Sequence, residues 1–406
     1  MTRDFRLLLW ATASAFAGFA PLLSVVPLWA ASGGAASGAV GATTGVMMGA
    51  TVAVQLAMPR LLRVLTLRRA SVIGGLLLGV PTFAYLLSTG IGWVLVVSAV
   101  RGIGFGMFVV AGSALVAELV PPERRGRGLG AYGVAIGVPQ ALLLPVGVWA
   151  AEHVGFGVVF SVAGAASVLG ALVTLAIHES GRTATSPDPD GSDMGMPGAA
   201  GADDGTGLAA VGPAAGPVRY RTLAGSGVLL LVASCAFGGA TSFVPLAFPA
   251  TTASLVLLAI SLTMTVGRWW AGVRADSEGV GPLLPLGIGA CTVGTLGIAL
   301  AAGTLTGALA VVVAMTAGLL YGVGFGALQN DTLVLMFREA GPQGHGTASA
   351  AWNIAYDGGT GAGSLGVGVV AQGVGLSGAL GASALPLVAV LPHAVRRARA
   401  ARAARA

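Results

Sequence analysis

The chain has 406 residues, of which 55% are hydrophobic and only 9% charged. Water-soluble domains average about 25% charged residues, so this composition excludes a soluble fold with an adequately polar surface. The net charge of +6 comes from arginine alone, since there is no lysine. Nucleic-acid binding would need those charges gathered on one folded surface, and their positions along the chain scatter them among loops.

Apolar runs such as Ser37 to Met58, Leu95 to Val116 and Ala308 to Leu328 carry almost no charge. About 20 such residues in a helix cross a hydrocarbon core roughly 30 Å thick. Only helices and closed barrels satisfy every backbone N–H and C=O within that core. Barrel strands alternate in polarity and these runs do not, which predicts an all-α membrane protein. The first stretch, Leu7 to Ala30, exceeds a signal-peptide core and is read as a retained span. In chain order the twelve predicted spans are 6–30, 37–58, 71–88, 92–116, 129–151, 155–177, 224–247, 251–271, 282–302, 306–333, 346–371 and 375–394. Cys235 and Cys291 both fall in spans, where cysteine behaves as a small hydrophobe, so neither a disulfide nor a metal site is assigned.

Between Glu179 and Val218 the sequence turns to Gly, Ala, Pro, Ser and Asp without apolar periodicity. Such a segment cannot bury enough surface to offset its ordering entropy. The predicted organisation is a six-helix bundle over 1–178, a disordered linker over 179–220, a second six-helix bundle over 221–395 and a basic tail over 396–406. With the N-terminus inside, every arginine except Arg101 falls on the cytoplasmic side, and the one charged residue in an outer loop is Glu152. The positive-inside rule then places both termini in the cytoplasm of an inner or plasma membrane. The Arg-rich tail is expected to rest on anionic lipid, or simply to fix topology.

The two halves repeat at an offset of 218 to 220 residues. Ser24-Val25-Val26-Pro27-Leu28 recurs as Ser242-Phe243-Val244-Pro245-Leu246, and Gly102-Ile103-Gly104-Phe105-Gly106 as Gly322-Val323-Gly324-Phe325-Gly326. Gly126-Arg127-Gly128 recurs as Gly344-His345-Gly346. A six-span unit repeated in the same orientation is one of the major transporter architectures. Here the chain resembles the major facilitator superfamily, in particular its bacterial efflux-type permeases. Gly272-Val273-Arg274-Ala275-Asp276-Ser277-Glu278-Gly279 is similar to the family's loop motif after span eight, preceded by Gly267-Arg268. The first copy is eroded to Leu61, Arg68 and Arg69, with Pro59, Arg63 and Thr66 at the other motif positions. Arg101 with the following glycines is similar to the family's arginine-bearing fourth helix. Gly133, Gly137, Val138 and Pro139 resemble its antiporter motif with one extra residue, and Gln329-Asn330-Asp331 and Trp352 to Gly359 resemble an efflux-permease pattern. The resemblance implies two pseudo-symmetric six-helix bundles. It also implies a cytoplasmic gating motif at Gly267, Arg268, Gly272, Arg274, Asp276, Arg68 and Arg69, and a coupling role for Arg101.

Charge within a bilayer costs several kcal/mol, by contested values of about 2.5 to over 10. Three ionisable side chains read as lying clearly inside spans, away from their ends, Arg101, Asp331 and Asp357, and a shared cavity is expected for them. A carboxyl held away from water takes up a proton more readily, which suits Asp357, near mid-membrane, to proton coupling. The alternative is a permanently bonded helix contact. Asp331 sits closer to the cytoplasmic end, where a proton site and a cap on a helix contact are both open. Arg101 stays charged at physiological pH and could tune a carboxylate, hold an anion or bond backbone carbonyls. Asn330, Asn353, Tyr356 and Gln140 read either as cavity lining or as interhelical glue. Phe16 and Phe243 are candidates for aromatic contact with an apolar substrate. Small residues allow close helix approach, and Gly102, Gly104, Gly106, Gly133, Gly137, Gly322, Gly324 and Gly326, with Pro139, are read as packing positions.

No Walker sequence, zinc pair or nucleophile elbow occurs, so neither an enzyme nor a cofactor is expected. The reading is a monomeric secondary transporter working by alternating access, exporting a small organic compound in exchange for protons. The alternative is a proton-linked importer of a sugar or organic acid. A receptor or scaffold would call for a folded soluble domain, which the linker and tail do not supply.

Overall fold

The computed structural model describes residues 2–121, 124–178, 220–278, 280–341 and 344–403. Most of the expected linker, 179–219, and the tail end, 404–406, lie outside the described residues. The described chain is helical throughout. In order it forms α1 (Arg3–Phe19), α2 (Leu22–Ser32), α3 (Ser37–Leu61) and α4 (Leu67–Gly79), which a short 3-10 helix, Val80–Leu87, continues. Next come α5 (Ile91–Leu119), α6 (Arg125–His153) and α7 (Phe156–Leu175). The second half contains α8 (Tyr220–Ala247), α9 (Ala250–Glu278), α10 (Leu284–Thr304), α11 (Gly307–Ala340), α12 (His345–Ala382) and α13 (Ala384–Ala403).

Eleven stretches of the described residues are long and apolar enough to cross a membrane, the first joining α1 to α2 and the last running from His345 to Ala403. Pro21, which has no N–H to donate, separates α1 from α2 within one crossing. The last stretch covers 59 residues, about 90 Å of helix and far more than a single crossing needs. It breaks at Gly375, whose φ of 75° lies in the left-handed region that glycine tolerates. Two crossings result, which gives the chain its twelve. The tail expected from 396 is helical as far as Ala403 and continues α13. Arg397 ion-pairs with Glu339 of α11 and donates to Ser226 Oγ of α8 at 2.7 Å.

Large apolar side chains point outward along the helices, among them Leu142, Val162, Leu169, Leu286, Leu296 and Val312. In water these would be a liability, whereas in lipid they are the expected surface. Exposed tryptophans sit toward both ends of the crossings, Trp10 and Trp270 toward one and Trp93 and Trp149 toward the other, as in interfacial aromatic belts.

The repeated glycines bring helices together in the same way in each half. A Cβ at Gly104 would stand 2.6 Å from Gly74 O of α4, and one at Gly324 2.8 Å from Gly287 O of α10. Gly102 and Gly106 lie against Met47 and Thr51 of α3, as Gly322 and Gly326 lie against Ile260 and Met264 of α9. Between the halves, α3 packs on α12 and α6 on α9, with α2 against α8. Away from the arginine-rich ends these contacts are tight. Ser364 Oγ donates to Gly41 O at 3.1 Å and lies 2.8 Å from Ser242 Oγ, which is 3.2 Å from Thr44 Oγ1.

Candidate functional site

Toward the arginine-rich face the halves part around a cavity of about 570 Å³. That is within the range of roughly 300 to 1,000 Å³ usual for small-molecule sites. Its lining begins near the basic ends, at Gly130 of α6 and Val273 of α9, and reaches Gln140 and Thr360 at mid-depth. The first half contributes a mainly apolar wall. Phe16, Phe19 and Phe105 pack together there, the last two stacked with centroids 3.9 Å apart. The second half contributes Phe237 and the face of α12, where Trp352 stacks on Tyr356 at 5.5 Å.

Asp357 lines this cavity and is 6% exposed. Its Oδ2 accepts from Gln55 Nε2 at 2.7 Å, so the acid on α12 is bonded to α3 of the other half. Gln55 is the lone amide of α3. An amide within an apolar span is a recognised sign of interhelical bonding, and that signal was available in the sequence although Gln55 was not among the expected site residues. Gln140 Nε2 reaches across from α6 to Tyr356 Oη at 3.5 Å. Asn353 donates to Ser349 O of its own helix at 2.9 Å while facing the cavity. Asn330 also lines the wall, and its Nδ2 is buried without an acceptor.

Several expected residues are placed elsewhere. Arg101 does not share the cavity with Asp357. It lies one turn beyond Phe105 toward the closed end, fully buried, with Nε donating to Leu78 O at 3.3 Å and its guanidinium 5.6 Å over the Tyr85 ring. Asp331 also leaves the cavity. Its Oδ2 accepts from the backbone N–H of Gly281 at 3.0 Å, anchoring the connection from α9 to α10. Phe243 is fully buried below the cavity floor against Gly368. Gly133 and Gly137 are not packing positions: no atom of another helix stands within 4 Å of a Cβ built at either, and both border the cavity. Pro139, between them and Gln140, is buried within α6.

The gating residues divide. Arg268, expected at the cytoplasmic end of its span, lines the cavity wall. It is half-buried, donates to Gln329 Oε1 at 3.4 Å and lies 5.6 Å over the Trp352 ring. The sequence reading ended this span at 271, whereas α9 runs on to Glu278, which carries Arg268 more than two turns inside. Gly267 abuts Val323 of α11, and Gly272 faces Asn330 at the cavity edge. Arg274 stacks on Trp270 at 5.5 Å. The side chain of Asp276 lies outside the described residues. Arg68 donates to Leu175 O at 2.6 Å, tying α4 to the end of α7 within the first half, and Arg69 N–H is capped by Thr66 Oγ1 at 3.3 Å.

The family model of the Major Facilitator Superfamily matches residues 8–364. The chain belongs to that superfamily. It is therefore a multi-pass membrane transporter and not an enzyme. Similar solved structures include an inward-facing, unoccupied bacterial homolog of the human lysosomal transporter Spinster, with a TM-score of 0.73 at 13% identity over 98% of this chain and 97% of that one. A peptide transporter of the POT type aligns with a TM-score of 0.70 at 15% identity over 98% of this chain and 96% of that one. The nucleoside transporter NupG aligns with a TM-score of 0.67 at 13% identity over 99% of each. These likenesses establish the fold of this superfamily member. No curated protein matches it.

Proposed function

We propose that this transporter exports a small organic compound in exchange for protons by alternating access, with Asp357 as the proton site. It would sit in the cell membrane with its arginine-rich face and both termini in the cytoplasm. One observation carries this reading: the cavity's only carboxylate among the described residues is bonded across the two halves, Asp357 to Gln55. An ionised acceptor makes a bond of about 1.5 to 3 kcal/mol, a neutral one about 0.5 to 1.5. Proton arrival therefore weakens the α3–α12 contact by about 1 kcal/mol. That biases the equilibrium between states without reversing it, since moving from 1:99 to 99:1 takes about 5.5 kcal/mol. The remainder comes from the cost of enclosing a charged carboxylate when the halves close over it, which protonation removes. The mostly apolar lining supports an amphipathic organic cargo.

The test is flux in proteoliposomes under an imposed pH gradient, with an entrapped pH dye and a panel of anionic, neutral and cationic aromatic compounds. Wild type should move protons against cargo, and Asp357→Asn should lose gradient-driven flux at least tenfold while retaining downhill exchange. Gradient-driven flux unaltered by Asp357→Asn removes Asp357 from coupling. Proton and cargo moving in the same direction would instead favour the importer.

A further inference from the structure

We propose that the cargo is an amphipathic monoanion, a single carboxylate or comparable acid on a flat aromatic body, and that Arg268 is the residue that selects it. This rests on the transport reading above and names the substrate class of the same cavity.

The cavity holds a surplus of hydrogen-bond donors. Among the described residues Arg268 forms no ion pair; its contacts there are a long hydrogen bond to Gln329 Oε1 and the face of Trp352. Gln329 Nε2 is left with Met264 Sδ at 3.2 Å, and sulfur is a weak acceptor. Asn330 Nδ2 has no acceptor. Three neighbouring side chains on α9 and α11 thus present N–H groups to one region of the wall. Asp357 is already engaged by Gln55. A guanidinium in a low-dielectric site without an anion is costly, and a cargo carboxylate or sulfonate would satisfy it, with bidentate geometry available. Arg268 is the single arginine of the lining among the described residues, so it offers one point of attachment for an anionic group.

The shape of the site supplies the rest. Phe16, Phe19 and Phe105 of the first half and Phe237, Trp352 and Tyr356 of the second line opposite walls of the same cavity. Aromatic walls favour a planar apolar body, since stacked or edge-on ring pairs add about 0.5 to 1.5 kcal/mol beyond area burial. Arg268 lies over the Trp352 ring, so a bound anion would stand next to the surface on which its own ring stacks.

The test uses full-length protein in nanodiscs and the fluorescence of three dansyl probes sharing one ring system: dansylglycine, its uncharged amide, and the cation dansylcadaverine. Saturable binding of dansylglycine about tenfold or more tighter than the other two is expected. Arg268→Gln should erase that preference, weakening dansylglycine about tenfold while leaving the amide unchanged, and Arg268→Lys should retain it in part. Melting temperature verifies that each variant is folded. Equal binding of anion and amide, tighter binding of the cation, no saturable binding of dansylglycine, or an unchanged preference in a folded Arg268→Gln protein each overturns the assignment. Binding needs no gradient, so this result is independent of whether Asp357→Asn uncouples flux.

Discussion

A methyl group added at Gly104 would stand 2.6 Å from Gly74 O, with backbone atoms of Leu77 and Leu78 as its other nearest neighbours. None of these is a flexible side-chain end, so Gly104→Ala should force α4 and α5 apart. Overpacking of this kind typically costs about 1 to 3 kcal/mol. Gly133→Ala, with nothing in reach, should leave the melting temperature unchanged or raise it, because alanine gains up to about 1 kcal/mol over glycine in a helix. Thermal melts in detergent followed by tryptophan fluorescence distinguish the two. Asp331 offers a second contrast. Asp331→Ala removes the acceptor of Gly281 N–H and should lower stability by about 1.5 to 3 kcal/mol, with proton-to-cargo stoichiometry unaltered. A changed stoichiometry would return Asp331 to the coupling machinery. For residues such as these, sequence reveals depth far better than azimuth. The cavity position of Asp357 was legible because a side chain eleven residues into an apolar run lies near mid-membrane. Arg101 and Asp331 were equally visible as buried charges, but which way each faced depended on partners 23 to 54 residues away in the sequence. Arg268 was read as part of the cytoplasmic gating motif because it stood near the predicted span end at 271, while α9 runs on to Glu278.

Among elements, α3 and α12 have two contrasting ends. Near the basic face they are joined by Gln55 and Asp357, and at the other end by Gly41, Ser364, Ser242 and Thr44 with hardly any room between backbones. Hydrogen bonds between membrane helices average about 0.6 kcal/mol each. Removing the hydroxyl set with Ser242→Ala and Ser364→Ala should therefore loosen the closed end by about 1 to 2 kcal/mol. Reaction of a membrane-impermeant maleimide with Thr44→Cys, in a background lacking Cys235 and Cys291, should rise about fivefold or more. No change in reactivity would mean that the glycine contacts alone hold that end shut. The spans themselves were readable since hydropathy tracks them closely: 37–58 became Ser37–Leu61 and 282–302 became Leu284–Thr304. What hydropathy did not show was the interruption at Pro21 and how far α9, α11 and α13 project past their apolar cores.

Over the whole molecule the repeat is one of contacts as well as letters. The glycines of α5 and α11 meet α4 and α10 on one side and α3 and α9 on the other. The hydroxyls show where the halves diverged. Ser242 joins the cross-half set, whereas its counterpart Ser24 is buried without a hydrogen-bond partner among the described residues. The cavity diverges further, because its acid and its guanidinium both come from the second half. Among the described residues, the first six crossings lend that chamber contour and the amides of Gln55 and Gln140, and nothing that ionises apart from Tyr132. Specificity should accordingly be inherited unequally. A chimera retaining residues 220–403 but borrowing its opening helices from a distant cousin should keep any preference for charge, while losing the Gln55 partner of Asp357 and with it part of any proton dependence. The reciprocal graft would transmit little beyond the width of the slot.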